Sequence, residues 1–177
     1  MPRLFTGLEV PSEIATTLSG LRGGLIGARW IDTDNYHVTL RFMGDIDDRF
    51  AHDVSYLLGE VRRRPLTLTI GSLDCFGGDR PRALVAKVAP TQPLIELQAE
   101  HERLLRRAGL PPDKRKFTPH VTLARLRDTT SWHVADFLAG MGHVPSRSFT
   151  ASRFVLFSSR ASTGGGPYVI EAAYPLF

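Results

Sequence analysis

The tetrapeptide His37-Val38-Thr39-Leu40 occurs a second time as His120-Val121-Thr122-Leu123. Both copies lie in segments typical of β-strands, with β-branched and apolar residues at alternating positions. Successive side chains of a strand point to opposite faces, so each copy has its histidine and threonine on one face and its valine and leucine on the other. We therefore expect each copy to be anchored in a core by its apolar face, and the two polar faces to form the halves of one active site.

The alternative interpretation is two half-buried strands whose histidines only face solvent. Isolated surface histidines are common, and most of them have no catalytic role. An arginine follows each copy, Arg41 after the first and Arg125 after the second. The repeated arginine favours the functional interpretation, because a cation beside two histidines is typical of a site for an anionic group.

Composition restricts the class of protein. A chain of 177 residues with 42% apolar content can fold as one domain without metal or disulfide support. The single cysteine, Cys75, excludes an internal disulfide and predicts a reducing, cytoplasmic location. No stretch is long and apolar enough to predict a membrane span. The net charge of +4 favours a phosphate-bearing or nucleic-acid partner, and no obligatory protein partner is indicated.

The order of predicted elements indicates an α+β fold. Helices and strands alternate along the chain, while short hairpin links and period-two patterns favour antiparallel sheets. One motif in each half predicts two similar lobes of antiparallel sheet with outer helices around a central cleft, all within a single domain of residues 1–177. Strands are predicted over 4–10, 28–31, 36–43, 65–73, 82–88, 120–126, 148–158 and 168–174, and helices over 12–25, 48–61, 93–108 and 131–139.

One histidine outside the motifs falls on a helical stripe. His101 lies on the same face as the leucines of the third predicted helix, at a spacing of three to four residues. A histidine in that position is usually packed and hydrogen bonded rather than reactive. We predict a satisfied core residue.

Two histidines suit phosphoester chemistry. With an unperturbed pKa of about 6.5, one imidazole can accept a proton while the other donates one near neutral pH. Attack at phosphorus requires a base on the nucleophile side, an acid on the leaving-oxygen side, and donors to the oxygens between them. Thr39 and Thr122 are predicted as those donors, and Arg41 or Arg125 as the stabilising cation.

Metal binding is the competing chemical interpretation. Histidines are frequent metal ligands, but the two motifs offer no third ligand at a recognisable spacing. The sequence also lacks a glycine-rich nucleotide loop of the Rossmann or P-loop type. We therefore predict neither a metal nor a cofactor.

The stretches Asn35–Gly44 and Phe117–Arg125 resemble the paired signatures of the 2H phosphoesterase superfamily. Within that superfamily, the chain is most similar to the bacterial RNA 2',3'-cyclic phosphodiesterases, the branch once named 2'-5' RNA ligases. The resemblance extends over nearly the whole chain, from the opening strand at Arg3 through Trp30 to the ending Ser158–Leu176.

The resemblance implies a metal-independent enzyme that opens RNA 2',3'-cyclic phosphate ends. In such an enzyme His37 would protonate the leaving 3' oxygen and His120 would activate water, leaving a 2'-phosphomonoester. The substrate would be an RNA or nucleotide with a cyclic phosphate end. The implied substrate-binding residues are Thr39, Thr122, Arg125, Arg41, Phe42 and Tyr168, with Phe42 and Tyr168 as stacking surfaces.

Two of these residues conflict with strict strand alternation. Arg125 is an odd number of positions from His120, and Phe42 is an odd number of positions from His37, so regular strands would turn both away from the histidines. A β-bulge or a strand end would be needed at each place. The prediction therefore includes an irregularity in each of the two strands.

Other functions remain open at this stage. Reversible 2'-5' ligation of RNA can use the same two histidines. A non-catalytic module that binds RNA ends would explain the basic balance and the cationic segment Lys114-Arg115-Lys116, which could equally be a solvated loop.

Overall fold

The computed structural model describes residues 3–159 and 167–177. Its described strands are β1 Arg3–Glu9, β2 Ala28–Trp30, β3 His37–Asp45, β4 Leu66–Phe76, β5 Ala83–Val88, β6 His120–Leu126, β7 Arg147–Ala151, β8 Arg153–Ser159 and β9 Tyr168–Pro175. Its described helices are α1 Ser12–Ser19, α2 Asp48–Leu58, α3 Gln92–Arg107 and α4 Ser131–Met141, with a 3-10 turn at Thr33–Asn35. None of these helices has the length and apolar character needed to cross a membrane.

The strands form one sheet in the order β7-β4-β5-β6-β3-β1-β8-β9, with β2 beside β6. Every neighbouring pair is antiparallel. In the part of the chain that the structure describes, a single residue pair, Val38 with Val121, joins β3 to β6. The sheet is thereby divided into two lobes, β3-β1-β8-β9 and β7-β4-β5-β6 with β2. The predicted α+β fold of two antiparallel lobes is confirmed.

The helices cover the core side of the sheet. The helix α3 contacts β3 of one lobe and β4 of the other, and α2 packs against α3. The leucines of the α3 stripe are buried as predicted, and in α4 Val134 and Phe137 are buried. The helix α4 closes a smaller cluster in the second lobe, in which Val134 and Phe137 meet Leu84 and Ala124.

Helix ends follow local sequence signals in α2 but not in α1. The side chain of Asp47 accepts a hydrogen bond from the Phe50 amide at 2.7 Å, as expected for an N-cap. The helix predicted over 12–25 ends at Ser19 instead. Gly23 and Gly24 adopt positive φ angles that favour glycine, and the chain after Ser19 turns toward the other lobe, where Leu25 is buried.

The long strand predicted over 148–158 is two strands. β7 pairs with β4 in one lobe, whereas β8 pairs with β1 and β9 in the other. The chain changes lobes at Ser152, whose carbonyl accepts a hydrogen bond from the Leu176 amide at 2.8 Å. Extended residues continue on both sides of Ser152, so the sequence carries no local signal of the change.

His101 is fully buried on α3, as predicted, but only one of its nitrogens is satisfied. Nδ1 lies 2.9 Å from the Thr6 hydroxyl, and the ring packs edge-on against Phe154 at 4.5 Å. Nε2 has no hydrogen-bond partner among the described residues. Burial, together with the positive charge of Arg63, lowers the pKa of His101 to about 3.

The free energy of unfolding should therefore depend on pH through His101. Below pH 6.5 the unfolded chain binds a proton at this residue, whereas the folded chain does not until about pH 3. Folding stability should fall as the pH decreases through this window, by up to about 1.4 kcal/mol per pH unit for one proton. Urea unfolding between pH 4 and 7 measures this slope.

The matched variant is His101→Gln, which keeps hydrogen-bonding groups for Thr6 but does not titrate. Its unfolding free energy should vary less steeply with pH than that of the wild type. Equal slopes for the two proteins would contradict the assignment of the proton to His101.

Candidate active site

Each motif strand carries a β-bulge immediately after its threonine. In β3 the register against β1 shifts so that Leu40 has no partner, and in β6 the register against β5 shifts so that Leu123 has none. The first seven residues of the two strands have the same sequence of buried and less buried positions. An extra residue reverses the alternation of side chains, so Phe42 and Arg125 share the face of the histidines. The irregularity that the resemblance required is present in both strands.

A cavity of about 680 Å³ opens where β3 and β6 meet. Seven of the eight predicted site residues line it. They are His37, His120, Thr39, Thr122, Phe42, Arg125 and Tyr168. We refer to this cavity as the cleft.

Arg41, the eighth predicted residue, lies elsewhere. The bulge that turns Phe42 into the cleft turns Arg41 to the opposite side, where its side chain is buried. The Nε atom binds the Glu102 carboxylate, Nη1 donates to the Phe42 carbonyl at 2.5 Å, and Nη2 donates to the Pro111 carbonyl at 2.6 Å. The prediction that Arg41 contacts phosphate is corrected, because its guanidinium is occupied within the protein.

Both histidines are oriented by a carbonyl two residues earlier. His37 Nδ1 donates to the Asn35 carbonyl at 2.8 Å, and His120 Nδ1 donates to the Thr118 carbonyl at 2.6 Å. This bond places the proton of the neutral ring on Nδ1 and leaves a lone pair on Nε2. His37 Nε2 lies 2.9 Å from the Thr39 hydroxyl, which donates to it. The sequence prediction did not include these carbonyls.

Aromatic rings enclose His37. Ring centroids of Phe5, Tyr168 and Phe157 lie 4.9, 5.2 and 5.6 Å from the imidazole centroid. Gly7 supplies the remaining space, since a Cβ atom there would lie 2.9 Å from the Val38 carbonyl oxygen and 3.4 Å from the His37 ring. The rings come from β1, β8 and β9, so the environment of His37 depends on three strands of its lobe.

Both imidazoles have lowered pKa values. Burial lowers the pKa of His37 to about 4, the charges of His120 and Arg125 add to the effect, and the hydrogen bond to Asn35 opposes it. Burial followed by the Arg125 charge also lowers the pKa of His120, whose ring meets Phe76 edge-on at 4.7 Å. An anionic group in the cleft would offset these charges and raise both pKa values.

Cations outnumber carboxylates around the cleft. Arg3 and Arg82 were not predicted, because they are far from the motifs in sequence and only the folded sheet brings them near. Of the segment Lys114–Lys116, the last two residues line the cleft and Lys114 does not. Among the described lining residues, the cations are Arg3, Arg82, Arg115, Lys116 and Arg125, and the one carboxylate is Asp113.

Two further sequence predictions concern a metal site and the end of the chain. Within residues 3–159 and 167–177, no group of three or more histidine, cysteine, aspartate or glutamate side chains is placed to hold a metal ion. Residues 160–166, which contribute to the resemblance at the end of the chain, lie outside the described residues.

Comparison with protein families gives two matches within this chain. The model of LigT-like phosphoesterases matches residues 8–86 and again residues 85–168. Each match contains one histidine motif and its bulge. The two matches meet within β5, so each contains one motif strand, but neither coincides with a single lobe of the sheet.

Two proteins of known sequence illustrate the similarity. The RNA 2',3'-cyclic phosphodiesterase of Bacillus subtilis is 30% identical over 166 residues, which cover 88% of this chain and 87% of that protein. The RNA 2',3'-cyclic phosphodiesterase of Aeropyrum pernix is 30% identical over 141 residues, or 78% of this chain and 80% of that protein.

A solved structure extends the likeness to the whole fold. The crystal structure of Escherichia coli LigT complexed with 3'-AMP superimposes with a TM-score of 0.76 at 25% identity and covers 99% of both chains. Two motif-bearing halves, relatives at 30% identity and a matching fold agree with the resemblance drawn from the motifs, and this chain belongs to the LigT-like phosphoesterase family.

Proposed function

We propose that this protein hydrolyses RNA 2',3'-cyclic phosphodiester ends to 2'-phosphomonoesters by metal-independent acid/base catalysis with His37 and His120. The observation that carries the proposal is the pair of imidazoles in one cleft, each oriented through Nδ1 by a carbonyl, with Arg125 acting on both. The names of the relatives from Bacillus subtilis and Aeropyrum pernix support the same reaction.

The proposed reaction moves one proton at each histidine. His120 Nε2 accepts a proton from water while the water oxygen forms a bond to phosphorus. The bond between phosphorus and the 3' oxygen breaks, and His37 donates a proton from Nε2 to that oxygen. The product has a 2'-phosphate and a 3'-hydroxyl, and proton exchange with water then restores both histidines.

His37 must hold a proton before this step, although its pKa in the free protein is about 4. The negative charge of the bound cyclic phosphate provides the necessary shift, because it stabilises the imidazolium between the aromatic rings. The enzyme would thus become an acid at His37 only when an anion is bound. With only water in the cleft, the His37 imidazole would stay neutral at a pH well above 4.

The remaining cleft residues divide between phosphate and nucleoside. The hydroxyls of Thr39 and Thr122 would donate to the non-bridging oxygens, and the Arg125 guanidinium would neutralise the charge that develops on them. Phe42 and Tyr168 would provide stacking surfaces for bases of the RNA end. Arg41 is not part of this proposal.

The proposal also covers domain organisation and location. We treat residues 1–177 as a single bilobal phosphodiesterase domain, supported by the passage of the chain from one lobe to the other at Ser152. A cytoplasmic location is supported by the use of one unpaired cysteine, Cys75.

The first test replaces each histidine by alanine. His37→Ala and His120→Ala should each lower kcat on cytidine 2',3'-cyclic phosphate by about 100- to 10,000-fold, because each removes one proton transfer. Wild-type activity should persist in a chelator, and chromatography of the product should show the 2'-phosphate. The control is His52→Ala, which removes an exposed histidine on α2.

The outcomes separate the alternatives. A 3'-phosphate product would reverse the roles of the histidines, and strict dependence on added metal would overturn the mechanism. Joining of RNA fragments that end in cyclic phosphate would identify a ligase. Tight binding of such ends with no turnover by the wild type would identify an end-binding module.

The second test concerns pH. Since Arg125 lowers both imidazole pKa values by charge repulsion, Arg125→Gln should raise the NMR titration midpoints of His37 and His120. Arg127→Gln removes the same charge outside the cleft and should leave these midpoints unchanged.

For the wild type, kcat/KM reports the free enzyme and should peak below pH 6.5, whereas kcat should peak at a higher pH because bound phosphate raises both pKa values. A kcat/KM maximum above pH 7.5 would contradict this assignment.

A further inference from the structure

One wall of the cleft is a segment without helix or strand, residues 111–118, which leads from α3 into β6. It meets β3 beside Phe42. The Arg41 guanidinium joins the two, because it donates both to the Phe42 carbonyl and to the Pro111 carbonyl. Phe42, Arg115, Lys116 and Phe117 line the cleft, and we call this region the Phe42 end.

A network of charged groups fixes the segment. Glu102 binds Arg41 and also accepts the Asp113 amide at 3.0 Å. Asp113 in turn accepts the Arg115 amide at 3.0 Å and its guanidinium at 3.2 Å. The Arg41 and Glu102 side chains are largely buried, at 7% and 14% exposed, so they hold the segment rigidly against β3 and α3. Lys116 follows directly after this anchored turn.

The Phe42 end exposes groups that folding alone does not require. Phe42 is 42% exposed although it lies on a central strand. Arg115 is neutralised by Asp113, but Lys116 has no carboxylate partner in the described part of the chain. An exposed ring beside an unneutralised cation is typical of surfaces that bind single-stranded nucleic acid, where bases stack and phosphates meet cations.

The opposite end of the cleft holds the groups that the proposed function assigns to the reacting phosphate. There the charge of Arg125 acts on both histidines and on Tyr168. The Tyr168 ring is packed edge-on against His37 and encloses it. Arg82 lies at this end as well, since its carbonyl accepts the Leu126 amide next to Arg125.

We propose that the Phe42 end is a second nucleotide subsite, which binds the nucleotide that precedes the cyclic phosphate end of an RNA strand. Its base stacks on Phe42, and its phosphate contacts Lys116 and Arg115. A cyclic phosphate occupies the 3' end, so the strand continues from the 5' oxygen of the terminal ribose toward this subsite. The inference rests on the proposed function, and it makes Arg41 and Glu102 positioning residues for the subsite.

The test compares two substrates that share one reacting group, cytidine 2',3'-cyclic phosphate and a trinucleotide ending in the same cytidine cyclic phosphate. The ratio of their kcat/KM values reports the subsite alone. In the wild type the trinucleotide should be favoured about tenfold or more, since stacking of one base contributes about 1–3 kcal/mol. Lys116→Gln and Phe42→Ala should each bring the ratio closer to one, and Lys116→Gln should also reduce its dependence on salt.

Two variants serve as matched controls. Lys114→Gln makes the same charge change two residues earlier, outside the cleft lining, and should keep the wild-type ratio. Arg82→Gln removes an unpredicted cation at the opposite end and should also keep it. Glu102→Gln should lower the ratio through a higher KM for the trinucleotide with little change in kcat, because it loosens the segment without touching the reacting atoms.

A wild-type ratio near one overturns the subsite. The subsite is also overturned if the preference for the trinucleotide is lost in Arg82→Gln but kept in Lys116→Gln, because the RNA strand would then lie at the opposite end of the cleft. If neither substrate is turned over, the proposed function fails, but binding measurements still test the subsite. The affinities of a 2'-phosphate-ended trinucleotide and of 2'-CMP are then compared by fluorescence anisotropy, with 2'-CMP as competitor. Tighter binding of the trinucleotide that depends on Lys116 supports the subsite, and equal affinities, or a difference that Lys116→Gln leaves unchanged, overturn it.

Discussion

The pairing of Val38 with Val121 determines the geometry of the site. It joins the two lobes through the middle of both motifs, and both valines are fully buried. Because β3 and β6 run antiparallel through this pair, the histidine and threonine of each motif are held at fixed positions relative to those of the other. A slip of one residue would turn one polar pair into the core, so burial of the apolar face specifies the register. The hydrophobic effect thereby sets the spacing of two acid/base groups.

The two motif strands, β3 and β6, are nearly equivalent, but their bulges turn different residues into the cleft and make it asymmetric. Each strand places a different residue at the position that the bulge turns inward, Phe42 in β3 and Arg125 in β6. The preceding position turns away from the cleft into the core and holds Arg41 in one strand and Ala124 in the other. The bulges therefore add an aromatic ring at one end of the cleft and a cation at the other. A substrate with a base at one side and a charged group at the other has only one favourable orientation in such a frame.

Periodic and local features of the fold were predictable from the sequence, whereas features that depend on a partner strand were not. Alternation in the motifs, antiparallel links and the Asp47 cap each follow from residues near one another in the chain. The position of the bulge, and with it the direction of Arg41, was not predictable, because a bulge is located only relative to a neighbouring strand. The lobe change at Ser152 was not predictable for the same reason, because the residues on both sides of it are extended and only their partner strands differ. Arg82 reaches the cleft only through sheet order, and no motif marks it.

The lobe change at Ser152 also has a consequence for biosynthesis. The lobe that contains His37 includes β1 but is completed by β8 and β9, which follow all the other described strands in the chain and so leave the ribosome after them. Until then β1 has an unpaired edge, which is a site of aggregation for a nascent chain. Phe157 and Tyr168, which enclose His37, belong to these late strands. The imidazole acquires its surroundings only after β8 and β9 have emerged, so a chain arrested before residue 153 would carry both motifs and lack a formed site.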